Sequence, residues 1–270
     1  MSYKIFIYTA LPCEAKPLVE HFKLKKRLDV QSFAVYEHDR LCLTVTGVGK
    51  NAMAAGVAYT QALFNGVENP ILINIGIAGH RDYTLGDLYL VDKIIDADSH
   101  KSYYPPLIAK ALCPSSAIQT ASKPQLDYHH ADLCDMEASA FYEIATRFTT
   151  GELVQCLKVI SDNQHSPANL INAKQVSLLI AAQLATIEAI INQVVALTEL
   201  LLTPDTPLFE QLSQQYHFTV SAKMQLKALL TRWAVLTDNQ ILPINEAELH
   251  NGKEVLRWLE QQHAKLAVFL

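Results

Sequence analysis

Leu153-Val154-Gln155-Cys156-Leu157-Lys158-Val159-Ile160-Ser161-Asp162 is an apolar run that closes on a hydroxyl and a carboxylate. A continuous run of this kind is expected of a strand covered on both faces, as in a parallel sheet flanked by helices. An acidic residue at its C-terminal end lies where open α/β sheets place their ligands. Asp162 there can exchange a proton with a bound molecule; taken alone, it can equally cap the irregular segment that follows.

Working outward, 4–8 reads as a first buried strand, followed by a turn at Pro12 and a helix over 13–22. A hairpin is expected from 33–37 and 41–46, around His38-Asp39-Arg40, and a helix over 52–64. Pro70-Ile71-Leu72-Ile73-Asn74-Ile75 is a second apolar strand, read as ending in a glycine turn, Gly76-Ile77-Ala78-Gly79. Further strands are expected over 87–95, near 117–121 and over 153–160, with helices over 136–148 and 168–202. Residues 97–134 are the least legible, with Pro105, Pro106, Pro114 and Pro124. The alternation of strands and helices predicts an α/β domain with a parallel or mixed sheet over 1–203. After Thr203-Pro204-Asp205-Thr206-Pro207 the pattern becomes purely helical, over 208–216, 221–236 and 246–262, with Ser221 and Asn245 as candidate caps. Residues 204–270 are therefore expected to form a small all-α appendage.

The net charge of −5 and pI near 6.0 leave no electrostatic footprint for nucleic acid. Lys23, Lys25, Lys26 and Arg27 read as a solvated face. Five cysteines, odd in number and without a C-x-x-C pair, indicate neither a disulfide framework nor a zinc site. Reduced thiols and a start with no signal-peptide pattern predict a cytoplasmic protein. The apolar stretch 176–202 carries Gln183, Glu188, Asn192, Gln193 and Glu199, which favours a packed helix over a membrane span.

Several motifs carry chemistry. Gly47-Val48-Gly49-Lys50 is not a phosphate loop, since Thr44 and Asn51 stand where glycine and Ser or Thr are required. It is either a simple tight turn or a turn whose N–H groups cradle a ligand. Gly76-Ile77-Ala78-Gly79 is read as a backbone-lined floor for a ligand. Glu14 opens the helix after the first strand, a place where glutamate is ordinarily exposed. Glu137, between Met136 and Ala138-Ser139-Ala140, can accept two hydroxyl hydrogen bonds, the usual way to hold a ribose diol. His129-His130-Ala131-Asp132 has no metal-ligand spacing, and no G-x-S-x-G nucleophile turn occurs.

In this order, Ala10-Leu11-Pro12-Cys13-Glu14, Gly47-Val48-Gly49-Lys50, Ile73-Asn74-Ile75-Gly76-Ile77-Ala78-Gly79, Asp135-Met136-Glu137-Ala138 and Ile160-Ser161-Asp162 resemble the purine nucleoside phosphorylase/nucleosidase superfamily, over about 3–195. Within it they are most similar to the methylthioadenosine/S-adenosylhomocysteine nucleosidases. The resemblance implies a three-layer α/β sandwich with a mixed, partly barrel-like central sheet. It implies cleavage of the N-glycosidic bond of a purine nucleoside or 5′-thio derivative. Asp162 would act as general acid at purine N7, and Glu14 as base toward water. Glu137 and Met136 would hold the sugar, and Ile77, Ala78 and Gly79 would line the base and water site. Ser161 and Gly49 complete the candidate binding residues.

Phosphorylases of the family carry an Arg and a Ser where Asn74 and Ile77 stand, and Arg81 falls outside the motif. A buried phosphate without an arginine clamp is poorly paired, so hydrolysis is preferred. A phosphorylase with an atypical phosphate site and a non-catalytic nucleoside-binding or regulatory protein are the alternatives. Ile77 also replaces the small hydroxyl residue of the nucleosidases, and the helical appendage lies outside the usual fold. No metal or organic cofactor is called for, the partner is a small-molecule purine nucleoside rather than nucleic acid or membrane, and a homo-oligomer is expected.

Overall fold

The computed structural model describes residues 3–67, 69–108, 112–129, 131–201, 207–238, 240, 242–244 and 249–266. They fall into two units, Met1–Leu202 and Thr203–Leu270.

In the first unit, the strands are β1 (Ile5–Thr9), β2 (Lys25–Lys26), β3 (Ala34–His38), β4 (Leu41–Val45), β5 (Ile71–Gly79), β6 (Leu88–Asp96), β7 (Ser102–Tyr103), β8 (Ser115–Thr120), β9 (Leu133–Asp135) and β10 (Val154–Asp162). The helices are α1 (Pro12–His21), α2 (Lys50–Leu63), α3 (Ala138–Ala145), α4 (Ala173–Ala182) and α5 (Leu184–Leu201). The sheet runs β10-β6-β8-β9-β5-β1-β4-β3-β2, and β10 also pairs with β5. That extra pairing closes β5, β10, β6, β8 and β9 into a ring, so the sheet is barrel-like at one end and open at the other. β1 is parallel to both β4 and β5, and β5 is parallel to β10, while β6 runs antiparallel to β10. This is the mixed sheet the sequence predicts.

Two apolar layers enclose it, because strand side chains alternate between faces. Phe6, Tyr8, Leu72, Cys156 and Ile160 pack with Met53 and Val57 of α2 and Phe141, Tyr142 and Ala145 of α3. Ile5, Ile7, Ile73, Ile75, Leu157 and Val159 pack with Leu18 of α1, Ile180 of α4, and Ile187, Ile190 and Val194 of α5. The result is three layers. Among the described residues no single helix is long and apolar enough to cross a membrane. Ile180 of α4 and Ile187, Ile190, Ile191 and Val194 of α5 enter the core instead.

The expected single helix over 168–202 is three pieces. A 3-10 turn, Ala168–Leu170, precedes α4, and α4 is bent from α5 by 56° at Gln183. The Gln183 side-chain amide donates to the Gly86 carbonyl at 2.7 Å, a tertiary tether that helical periodicity does not reveal. Asn172 caps α4 by accepting from Gln175 N, and the Gln175 side chain accepts from Asn172 N in return, a full capping box. The helix expected over 136–148 is shorter at both ends, Ala138–Ala145; at its start Asp135 accepts from Ala138 N and Glu137 from Gly49 N.

The second unit holds α6 (Pro207–Gln215), α7 (Val220–Leu236) and α8 (Gly252–Leu266). Leu212, Phe218, Leu226, Leu230, Val255 and Leu259 form its own core. Thr219, not Ser221, caps α7, accepting from Ala222 N at 3.3 Å. The other expected cap, Asn245, lies outside the described residues. Asn251 takes that place for α8, accepting from Glu254 N at 3.1 Å, so the helix starts later than the pattern indicates.

Candidate active site

The parallel strands β1, β4, β5 and β10 end on one side of the sheet, and the candidate residues sit there. Glu14 lies in the first turn of α1, after β1. Gly49 precedes α2, after β4. Ile77, Ala78 and Gly79 are the last residues of β5, and Ser161 and Asp162 the last of β10. Asp135, Met136 and Glu137 come off the end of β9. All but Gly49 line a cavity of about 160 Å³. Glu14, Ile77, Ala78, Gly79, Met136, Glu137, Ser161 and Asp162 all face it, and Val48, Pro124, Gln125, Cys134, Asp135 and Ala168 complete much of the wall. Gly49 is not in the wall; its N–H donates to Glu137 Oε1 at 2.7 Å and so holds that carboxylate from behind. Both glycines of the 47–50 turn have positive φ, 92° for Gly47 and 97° for Gly49, which only glycine adopts without strain.

The segment Gly76–Gly79 is strand, not the turn expected from its glycines. It pairs with β10 from Lys158↔Gly76 to Asp162↔Gly79, with a bulge between Ile160 and Asp162. The bulge re-aims the end of β10. The glycines serve close packing: a Cβ on Gly79 would lie 2.5 Å from Asp162 Oδ2, and one on Gly76 would lie 3.0 Å from Glu14 Oε1 and 3.4 Å from Lys158 Nζ.

Glu14 is buried and caps its own helix. Oε2 accepts from Ala10 N at 2.9 Å and Leu11 N at 2.8 Å, and Oε1 accepts from Ile77 N at 2.9 Å. A carboxylate has about four acceptor positions, so one remains, on Oε1. Burial raises the proton affinity of Glu14 above the ordinary carboxylate level, while the Leu11 and Ile77 amides and Lys158 oppose the rise. The missing hydroxyl at position 77 is immaterial to this contact, since the backbone of Ile77 makes it.

Asp162 accepts a hydroxyl bond on each oxygen, from Ser161 on Oδ1 and from Tyr128 on Oδ2, the latter at 2.7 Å. Glu137 is pushed up to about 7, first by burial and then by the charge of Asp135, with Lys158 and the Gly49 amide pulling the other way. Its Oε2 has no hydrogen-bond partner among the described residues.

One residue that the motifs did not single out organises these acids. Lys158, in the middle of β10, is fully buried and pairs with Asp135 at 2.9 Å. Asp135 also accepts from Thr120 Oγ1 and Ala138 N, so both of its oxygens are engaged. A lysine inside an otherwise apolar strand was the available signal, because lysine is almost never fully buried unless paired. Around α2, Lys50 bridges Asp96 and Asp98, and Ser139 donates to Asp96. Arg81 is turned to Asp82. All five cysteines are free, and no group of three His, Cys, Asp or Glu is arranged for a metal among the described residues.

Residues 4–129 match the family model described as the phosphorylase superfamily, a stretch that takes in the first three of the five motifs, through Gly79. The fold is that of solved nucleosidases. A Helicobacter pylori 5′-methylthioadenosine/S-adenosylhomocysteine nucleosidase mutant with 5′-methylthioadenosine in its active site is similar at a TM-score of 0.60 and 13% identity, over 72% of this chain and 100% of that one. Arabidopsis thaliana 5′-methylthioadenosine nucleosidase gives 0.59 and 19%, over 72% and 96%. Helicobacter pylori futalosine hydrolase gives 0.59 and 14%, over 72% and 99%. No curated protein sequence matches the chain.

Proposed function

We propose that this protein is a nucleosidase that hydrolyses the N-glycosidic bond of a purine nucleoside or a 5′-thio derivative. One observation carries the choice of water over phosphate. Among the described residues the cavity wall contains four carboxylates, of Glu14, Asp135, Glu137 and Asp162, and no lysine or arginine. The backbone amides of Ala10, Leu11 and Ile77 that could bind an anion are taken by Glu14 itself. Lys158, the nearest buried cation, is committed to Asp135. A phosphate dianion would meet like charge and no clamp, whereas a sugar that develops positive charge would be stabilised.

In this reading Asp162 is the general acid: its proton goes to N7 of the base, and the C1′–N9 bond breaks with its electron pair leaving on the purine. Glu137 accepts from the 2′- and 3′-hydroxyls through its open oxygen. Water attacks C1′ from the opposite side and gives its proton to the open position on Glu14 Oε1. The acid and the base come from β10 and α1, different elements on the cavity wall, as displacement at one carbon requires.

The test is release of free base from a panel of purine nucleosides, futalosine included, with and without phosphate. Phosphate-independent release, lost in Asp162→Asn, is expected. Release that requires phosphate would replace hydrolysis by phosphorolysis, and ligand binding without any release would make the chain a nucleoside-binding protein.

A further inference from the structure

Tyr128 stands outside the family motifs and outside the cavity wall, yet touches the proposed acid. Its hydroxyl donates to Asp162 Oδ2 at 2.7 Å and accepts from Ala168 N at 2.9 Å. The two contacts define the direction of the proton: the amide can only donate, so the phenol hydrogen goes to the carboxylate. Ser161 grips the other oxygen. The carboxyl group is thus held from two sides where it lines the cavity.

Tyr128 also joins two stretches of the wall. Pro124 and Gln125 belong to its own segment, and Ala168 to the segment after β10; all three line the cavity. The backbone at Tyr128 is left-handed, with φ 49°. That conformation is uncommon for an aromatic residue and persists where surrounding contacts over-determine it.

We propose that Tyr128 is the positioning residue of this site: its hydroxyl orients the Asp162 carboxyl group, whose acid form gives its proton to the leaving base, and ties the 121–129 and 163–170 segments around it. The inference rests on the nucleosidase reading. It extends that reading by making the orientation of the acid depend on a residue from a loop, rather than on β10 alone.

Tyr128→Phe keeps the ring and removes only the hydroxyl. The expected result is a kcat lower by about 10-fold or more with KM within about two-fold, since a slightly misplaced acid slows the chemical step without weakening binding. Amide exchange at Ala168 should be faster in the same variant. An unchanged kcat, or a change confined to KM, would overturn the role, as would unaltered exchange at Ala168. If the wild-type protein releases no base from any nucleoside, the nucleosidase reading falls. The link is then judged by exchange alone: faster exchange at Ala168 in both Tyr128→Phe and Asp162→Asn supports it, and unchanged exchange refutes it.

Discussion

Lys158 Nζ lies 2.9 Å from Asp135 Oδ2, and both side chains are only 1% exposed. The pair sits beneath a cavity lined by three further carboxylates, and it determines how much negative charge the site can hold. Burial works against the lysine's charge, but Asp135 and Glu137 hold it firmly protonated.

Removing one partner of such a pair leaves the other charge buried and alone. Lys158→Met is expected to destabilise the first unit by about 3–5 kcal/mol. Chemical denaturation measures this, and a midpoint equal to that of the wild type would refute the buried-pair account. Asp135→Asn in the same background should recover part of the loss, since the stranded anion is gone.

Glu14→Gln retains the size of the side chain but places an NH2 where a carboxylate oxygen now accepts backbone N–H groups. A fall in hydrolysis of about 100-fold or more is expected, in the range of a lost general base. A melting temperature within a few degrees of wild type would show that the loss is chemical. Near-normal turnover would remove Glu14 from the mechanism.

Glu137 gives the site a pH dependence. Its proton affinity in the fold, about 7, exceeds the ordinary 4.5, so the native state binds the proton more tightly than the unfolded chain. Its contribution to stability is therefore complete below about pH 4.5 and declines as pH rises toward 7. Glu137→Gln should flatten that part of the stability profile. Hydroxyl donors favour the anion, so nucleoside binding should tighten as pH rises through this range and release a proton. Calorimetry in buffers of different ionisation enthalpy reads that proton directly.

Gly79→Ala tests the tight contact between β5 and β10. The added Cβ would meet Asp162 Oδ2 at 2.5 Å, so the carboxylate must move. Expected are a destabilisation of about 1–3 kcal/mol and a fall in kcat that exceeds any change in KM. A fully active Gly79→Ala enzyme would show that the position of Asp162 is not critical.

The apolar runs of β1, β5, β6 and β10 are legible because each is a local pattern long enough to exceed the noise of composition. β7 and β9, at Ser102–Tyr103 and Leu133–Asp135, are too short for any periodicity and exist through their pairing with β6, β8 and β5. Gly76 and Gly79 suggested a turn by their chemistry alone. In the fold they continue β5, because pairing with β10 satisfies the backbone and the missing Cβ atoms make room for Glu14, Lys158 and Asp162. The break at Gln183 is illegible for a related reason: its cause is a carbonyl at Gly86, far away in sequence.

The same division runs through the site. Residue type and local spacing by themselves determine that carboxylates and small residues follow the strand ends of this chain, and that the pattern turns purely helical after Pro207. Only the tertiary structure decides that Glu14, Glu137 and Asp162 share one cavity, that Lys158 neutralises Asp135 beneath it, and that Tyr128 reaches Asp162. Those distances depend on the register of β5 against β10, the bulge before Asp162 and the path of the 121–129 segment. They arise from contacts between residues far apart in the chain, for which a local pattern carries no information.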